Sequence, residues 1–226
     1  FDAQNARGRQ KRFVVVLGFT AILLAGAFFF VRINPACRQN LAVHHAQYQE
    51  LAEALSEGKV SVGDAEEALL AMKNPYDTIA LQAAGIGYRA DYAYHNGKYY
   101  VYFGIVPVLL LYLPYYLLTG GALQNYVAVF VFFAGFIIAA AGFVYELMKR
   151  YFKEQPFYLW AVGTGMLVGS YSMFYLLIRP DLYHVPIVAS AMFATGGLWL
   201  YLAGLNRPKK AVGLYAFGSF CMALTA

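Results

Sequence analysis

Apolar residues run almost without interruption over Phe13 to Ile33, Tyr126 to Met148, Phe157 to Ile178 and Val185 to Leu205, and again from Ala211 onward. A helix needs about 20 such residues to cross about 30 Å of hydrocarbon, so the pattern predicts an all-α polytopic membrane protein with about five transmembrane helices, the last incomplete. The chain opens on Phe1 without a Met and is still apolar at Ala226, the expectation for a fragment of something longer. Phe13 to Ile33 is too long for a signal peptide and lacks the small-residue cleavage site, so it is predicted to be a retained anchor.

Between the first and second runs the pattern changes. From Gln47 to Gly58, apolar Tyr48, Leu51, Ala52 and Leu55 recur at helical spacing with Glu50, Glu53 and Glu57 between them, which predicts an amphipathic helix ended by Gly58. Asp64 followed by Glu67 fits a capping box for a helix over Ala65 to Met72, and Asn74-Pro75-Tyr76-Asp77 closes that helix and offers a cap for another. Asn96-Gly97, flanked by Asp91-Tyr92-Ala93-Tyr94-His95 and Lys98-Tyr99-Tyr100-Val101-Tyr102, predicts a β-hairpin, because both turn residues tolerate the positive φ of a type I′ turn. The next apolar run, Val101 to Thr119, holds Pro107 and Pro114, which interrupt helical hydrogen bonds, and Tyr102, Tyr112, Tyr115 and Tyr116, which with Tyr100 just before it favour the headgroup level. It reads as an interfacial or re-entrant element packed beneath the hairpin, its tyrosines flooring a groove.

Composition and charge sharpen the topology. Of 226 residues, 61% are hydrophobic and only 13% are charged, far from the balance of a soluble protein. The basic residues gather in three clusters, Arg7-Gly8-Arg9-Gln10-Lys11-Arg12, Lys149-Arg150-Tyr151-Phe152-Lys153 and Arg207-Pro208-Lys209-Lys210. Loops rich in Lys and Arg stay cytoplasmic. Counting residues 101–119 as non-spanning places all three clusters inside, with 10 Lys and Arg against 3 acids (+7), and leaves 7 against 9 outside (−2), which together give the net +5. Counting the run as a span would put both later clusters outside. The predicted organisation is therefore a cytoplasmic basic N-terminus (1–12), a first transmembrane helix (13–33), an external loop (34–123) holding amphipathic helices, the hairpin and the interfacial run 101–119, and transmembrane helices over 124–226. The expected localisation is a bacterial plasma membrane, with the N-terminus cytoplasmic.

Chemistry at such a protein belongs to polar external residues near the bilayer. Asp91, His95 and Lys98 at the hairpin, with His44, His45 and Asp77 in the same segment, form one candidate group. Arg179-Pro180-Asp181-Leu182-Tyr183-His184, a tight turn between two apolar runs, forms the other. A carboxylate in such a place serves as general base toward a hydroxyl, and Arg or Lys holds a lipid phosphate; the plain structural alternative is that Arg179 and Asp181 anchor a helix turn and Asp91 pairs across the hairpin. His44 and His45 are adjacent and so point about 100° apart on a helix, a poor arrangement for sharing a metal. Cys37 and Cys221 are placed too differently to pair, and neither a disulfide framework nor a Cys-rich metal site is present. No cofactor is expected.

The order of these features is similar to that of a known family. A first span, the segment Tyr48-Gln-Glu-Leu-Ala-Glu-Ala-Leu-Ser-Glu-Gly58, the stretch Asn96-Gly97-Lys98-Tyr99-Tyr100, the run around Pro107, a span ending in Lys149-Arg150 and then Arg179-Pro180-Asp181 resemble the N-terminal half of GT-C glycosyltransferases, over roughly residues 7 to 205. The nearest in pattern are the dolichyl-phosphate-mannose protein mannosyltransferases and the aminoarabinose transferases. The resemblance implies transfer of a sugar from a polyprenyl-phosphate donor at the external face, with one acid early in the first loop as base and a second acid after the third span, where Asp181 stands. It also implies a donor-phosphate contact, for which Arg179, Arg89 and Lys98 are candidates, with His184 beside them. The chain departs from the family pattern at the first acid: His44 and His45 occupy the place of an acidic pair, so either the base role falls to one of them, to Asp91 or to Asp77, or the activity is lost or different.

Other classes are separable. A non-catalytic membrane scaffold predicts no lipid-phosphate site, and a transporter or flippase subunit predicts charges at mid-membrane, which the apolar runs lack near their centres. Nucleic acid is not an expected partner, because the basic residues are spread as topological flanks. The expected partners are the bilayer and the lipid-linked donor.

Overall fold

The computed structural model describes residues 2–38, 46–65, 67–87, 89–170 and 173–225, with backbone alone at 2–9, 170 and 173. The chain divides into two compact units, residues 1–39 with 125–226, and residues 40–124.

The first unit is helical. Its α-helices are α1 (Asp2–Ile33), α6 (Asn125–Tyr151), α7 (Tyr158–Ser170), α8 (Met173–Ile178), α9 (His184–Asn206) and α10 (Ala211–Ala223), numbered around the four α-helices of the second unit. Three helices, Gln10–Ile33, Asn125–Tyr151 and His184–Asn206, are long and apolar enough to cross a membrane. Within the expected third span the described residues form α7, of 13 residues, and α8, of 6, and residues 171–172 between them lie outside the described residues; α10 has 13 residues.

The core of this unit is the α6–α9 contact. Phe132, Phe133, Phe136 and Ile137 are buried along α6, and the Trp199 ring of α9 fills the space that a Cβ on Gly142 would need. Small residues bring helix backbones together this way when lipid offers no hydrophobic drive. Trp160 of α7 is fully buried, donates from Nε1 to the Ala141 carbonyl at 3.0 Å and packs edge-on to Phe19 of α1. At the far ends of α6 and α9 a charged knot closes the bundle. Glu146 is buried, takes Asn206 Nδ2 at 2.7 Å and bonds the Arg207 guanidinium, while Arg150 donates to the Leu205 carbonyl. By contrast, only 11% of the apolar window of α1 is buried against 56% of that of α6, so most of α1 is exposed hydrocarbon that a bilayer would cover.

The second unit begins with α2 (Gln47–Ser56), which buries Tyr48, Leu51 and Ala52 as its periodicity predicts and stops where Gly58 turns left-handed, with φ 74°. The capping box does not form. Backbone of Val62 to Ala65 runs beside the hairpin instead, with Val62 N to Tyr99 O at 2.9 Å and Ala65 N to Gly97 O at 2.7 Å, and α3 is only Glu67–Leu70. Asp64 is thereby committed as a bridge residue opposite Lys98, and sheet pairing outcompetes the cap. Asp77 does cap α4 (Thr78–Ala83), accepting from Ile79 N at 3.0 Å and Ala80 N at 3.1 Å. The hairpin has the expected form: β1 (Ala93–His95) and β2 (Lys98–Tyr100) pair antiparallel with His95 opposite Lys98, and Asn96 and Gly97 both have positive φ.

After an irregular stretch, residues 106–119 are helical, with a π-helical turn at Val108–Tyr112 before α5 (Leu113–Thr119), and Gly120 ends the run at φ 68°. Pro114 has no N–H to offer the Leu110 carbonyl, and a widened turn relieves the clash of its ring with the preceding turn. The run packs against α2, not beneath the hairpin: Tyr48 meets Tyr112 with ring centroids at 5.4 Å, and Tyr112 is buried while Tyr102 and Tyr115 stay exposed. The tyrosines therefore divide between a packed face and an exposed one, and no common floor forms.

Candidate functional site

The turn between α8 and α9 is an organised polar site of the first unit. Pro180, Leu182 and Val185 are buried and fix its path, so the polar residues between them have defined places. Asp181 N bonds the Arg179 carbonyl at 2.8 Å around Pro180. The Asp181 Oδ1 then accepts Tyr183 N at 3.1 Å and His184 N at 3.3 Å, satisfying donors at the start of α9. His184 is nearly buried, its Nδ1 bonds the Arg179 carbonyl and stands 3.4 Å from Asp181 Oδ1, and its ring lies edge-on to Tyr175 at 5.6 Å. A carbonyl only accepts, so Nδ1 is the donor in that bond. Arg179 is exposed and reaches the Tyr175 hydroxyl at 3.5 Å. Of the predicted residues, Arg179, Asp181 and His184 are thus brought together. The arrangement offers an oriented carboxylate, an imidazole and a guanidinium within one turn.

The second unit places its candidates differently. Asp91 sits in left-handed backbone at φ 64° and accepts the Tyr102 hydroxyl at 3.4 Å. Lys98 is exposed on β2 and lines a surface cleft with Glu50, Glu53, Glu57 and Asp64, an acidic surrounding unsuited to a phosphate. Arg89 is already engaged: its guanidinium bonds Glu50 Oε2 at 2.6 Å and lies over the rings of Tyr92 at 4.2 Å and Tyr99 at 5.0 Å. Tyr92 donates to the same Glu50 oxygen at 2.7 Å. Burial works against the Arg89 charge, yet Glu50 and Tyr92 outweigh it and hold its pKa above the usual value; burial, then the Glu50 bond, raises the Tyr92 phenol. Arg89 is therefore an internal tie of this unit, and no longer a free candidate for a donor phosphate. Asp77 is a helix cap. His44 and His45 lie outside the described residues, and among the described residues no three His, Cys, Asp or Glu gather as a metal site. Both cysteines are free.

Sequence reasoning missed two sets of residues. Glu50 was expected simply on the polar face of α2, and Glu146 drew no attention at the end of an apolar run. Each finds its partners far along the chain, 39 residues away for Arg89 and 61 for Arg207, and no local pattern signals that.

Comparison with protein-family models, curated proteins and solved structures gives no match to this chain.

Proposed function

We propose that this chain is part of a membrane glycosyltransferase of GT-C type, transferring a sugar from a polyprenyl-phosphate donor to a hydroxyl acceptor at the external membrane face. The observation that carries the reading is the Arg179–Asp181–His184 turn, where a carboxylate is held by two backbone amides beside an imidazole and an exposed guanidinium. Support also comes from the apolar helices, the charge distribution and the order of motifs shared with that family. In the proposed reaction the acceptor hydroxyl oxygen attacks the anomeric carbon as the bond from that carbon to the phosphate oxygen breaks. Asp181 takes the hydroxyl proton, and polyprenyl phosphate departs with the bonding pair. Arg179 offsets its charge.

The topology that goes with this function has five membrane-crossing segments, with α7 and α8 together forming the third and residues 101–119 not crossing. Residues 34–123 and the Arg179–His184 turn then face outward.

One specific observation favours a second reading. The two amide bonds to Asp181 Oδ1 are also what a helix cap makes, so Asp181 serves a non-catalytic membrane scaffold equally well. Asp181→Asn separates the two, because asparagine keeps the accepting Oδ1 and loses the basic carboxylate. In the full-length protein in proteoliposomes with a radiolabelled polyprenyl-phosphate sugar, the transferase reading expects transfer to fall about 100-fold or more with insertion unchanged. Full transfer by Asp181→Asn would leave Asp181 as a cap.

A further inference from the structure

At the Arg12 end of the helices, the structure gathers basic residues that the sequence spreads as flanks. Arg12 of α1, Lys149 at the last turn of α6, Lys153 in the α6–α7 connection, and Phe152, Gln155 and Phe157 line one pocket of about 120 Å³. At about 30 Å³ each, that is room for about four waters, and so for a phosphate-sized group but not for a peptide. The cations there are poorly neutralised. Neither Arg12 nor Lys153 has an ion pair among the described residues, and Lys149 has only a 4.0 Å contact with Glu146. Glu146 is itself taken up by Arg207 and Asn206, and the exposed Glu154 pairs with none of the three.

Phe152 and Phe157 supply part of the apolar lining. Arg12 lies over the Phe157 ring at 5.6 Å, and Phe157 stacks on the buried Trp160 with centroids at 5.9 Å, so the guanidinium is positioned by the helix junction. The apolar run of α1 starts at the next residue, and Phe13, Phe152 and Tyr158 are exposed at this level. A positive pocket at the mouth of an apolar surface matches a molecule with an anionic head and hydrocarbon tails. We infer that the Arg12–Lys149–Lys153 pocket binds the phosphate of an anionic glycerophospholipid in the adjoining leaflet, distinct from the Arg179–His184 turn and independent of sugar transfer. Basic pockets between membrane helices take such headgroups by charge, with the tails lying along neighbouring helices.

The test is native mass spectrometry of the full chain released from detergent micelles and titrated with dioleoyl phosphatidylglycerol or dioleoyl phosphatidylcholine. One phosphatidylglycerol is expected to bind at least about tenfold tighter than phosphatidylcholine, and Arg12→Gln/Lys149→Gln/Lys153→Gln to abolish the preference. Lys209→Gln/Lys210→Gln, which removes charge from exposed positions outside the pocket, is expected to keep it. Should the triple variant be poorly folded, Lys153→Gln alone, on an exposed turn, is expected to weaken phosphatidylglycerol about threefold. Undiminished preference in a folded pocket variant would overturn the proposal, as would an equal loss in Lys209→Gln/Lys210→Gln. Displacement of the lipid by an equal concentration of inorganic phosphate would mark a free-anion site and overturn the lipid assignment.

Discussion

Glu50 shows how a residue on a polar helix face becomes structural. Its carboxylate holds both the Arg89 guanidinium and the Tyr92 hydroxyl, and through them joins α2 to the base of the hairpin. Glu50→Gln removes the charge while keeping the shape. With the pair about one-third exposed, solvent screens the loss, and the expected cost is about 1–2 kcal/mol. Hydrogen exchange should quicken at the amides of residues 93–100, while Trp fluorescence melting, which reports Trp160 and Trp199 of the other unit, stays unchanged. Equal exchange in variant and parent would show that the tie does not hold the hairpin. The alternation of apolar residues and acids in α2 made its buried face legible in the sequence. The partner of Glu50 was not legible, because it is fixed by tertiary approach and not by spacing. The Arg179–His184 turn was legible as a polar interruption between apolar runs, whereas the capping geometry of Asp181 depends on backbone that only the fold reveals.

Elements followed the sequence wherever local chemistry faced no competitor. The Asn-Gly turn, the Asp77 cap and the Gly58 stop each rest on one or two residues whose preferences agree with their surroundings. The Asp64 cap failed because its backbone pairs with Lys98. Between α6 and α9 the decisive feature is a missing side chain, since Trp199 occupies the place beside Gly142. Gly142→Leu is expected to destabilise the first unit by about 1–3 kcal/mol or more through overpacking. It should also shift the Trp emission maximum as Trp199 is displaced. A variant melting with the parent would mean that the two helices are not held by this contact. Glu146→Ala tests the other end: Arg207 and Asn206 lose their shared acceptor, and unfolding is expected to ease by about 1–3 kcal/mol, discounted for the partly exposed Arg207.

For the whole molecule, the bulk of the apolar surface is a statement about solvent. The run of Phe13, Val14, Val15 and Leu17 on α1, continued by Ile22, Phe28 and Phe29, is exposed among the described residues and suits hydrocarbon. Sugar transfer at the external face requires the Arg179–His184 turn to lie opposite the three basic clusters, and that holds only if residues 101–119 do not cross. Single cysteines at Ser61, Gly121, Lys153 and Arg179, in a background lacking Cys37 and Cys221, read this directly with a membrane-impermeant thiol reagent on intact cells. Labelling at 61, 121 and 179 with protection at 153 is the predicted result. Labelling at 153 with protection at 121 and 179 would make residues 101–119 a span, turn the Asp181 site to the cytoplasm and contradict the external transferase.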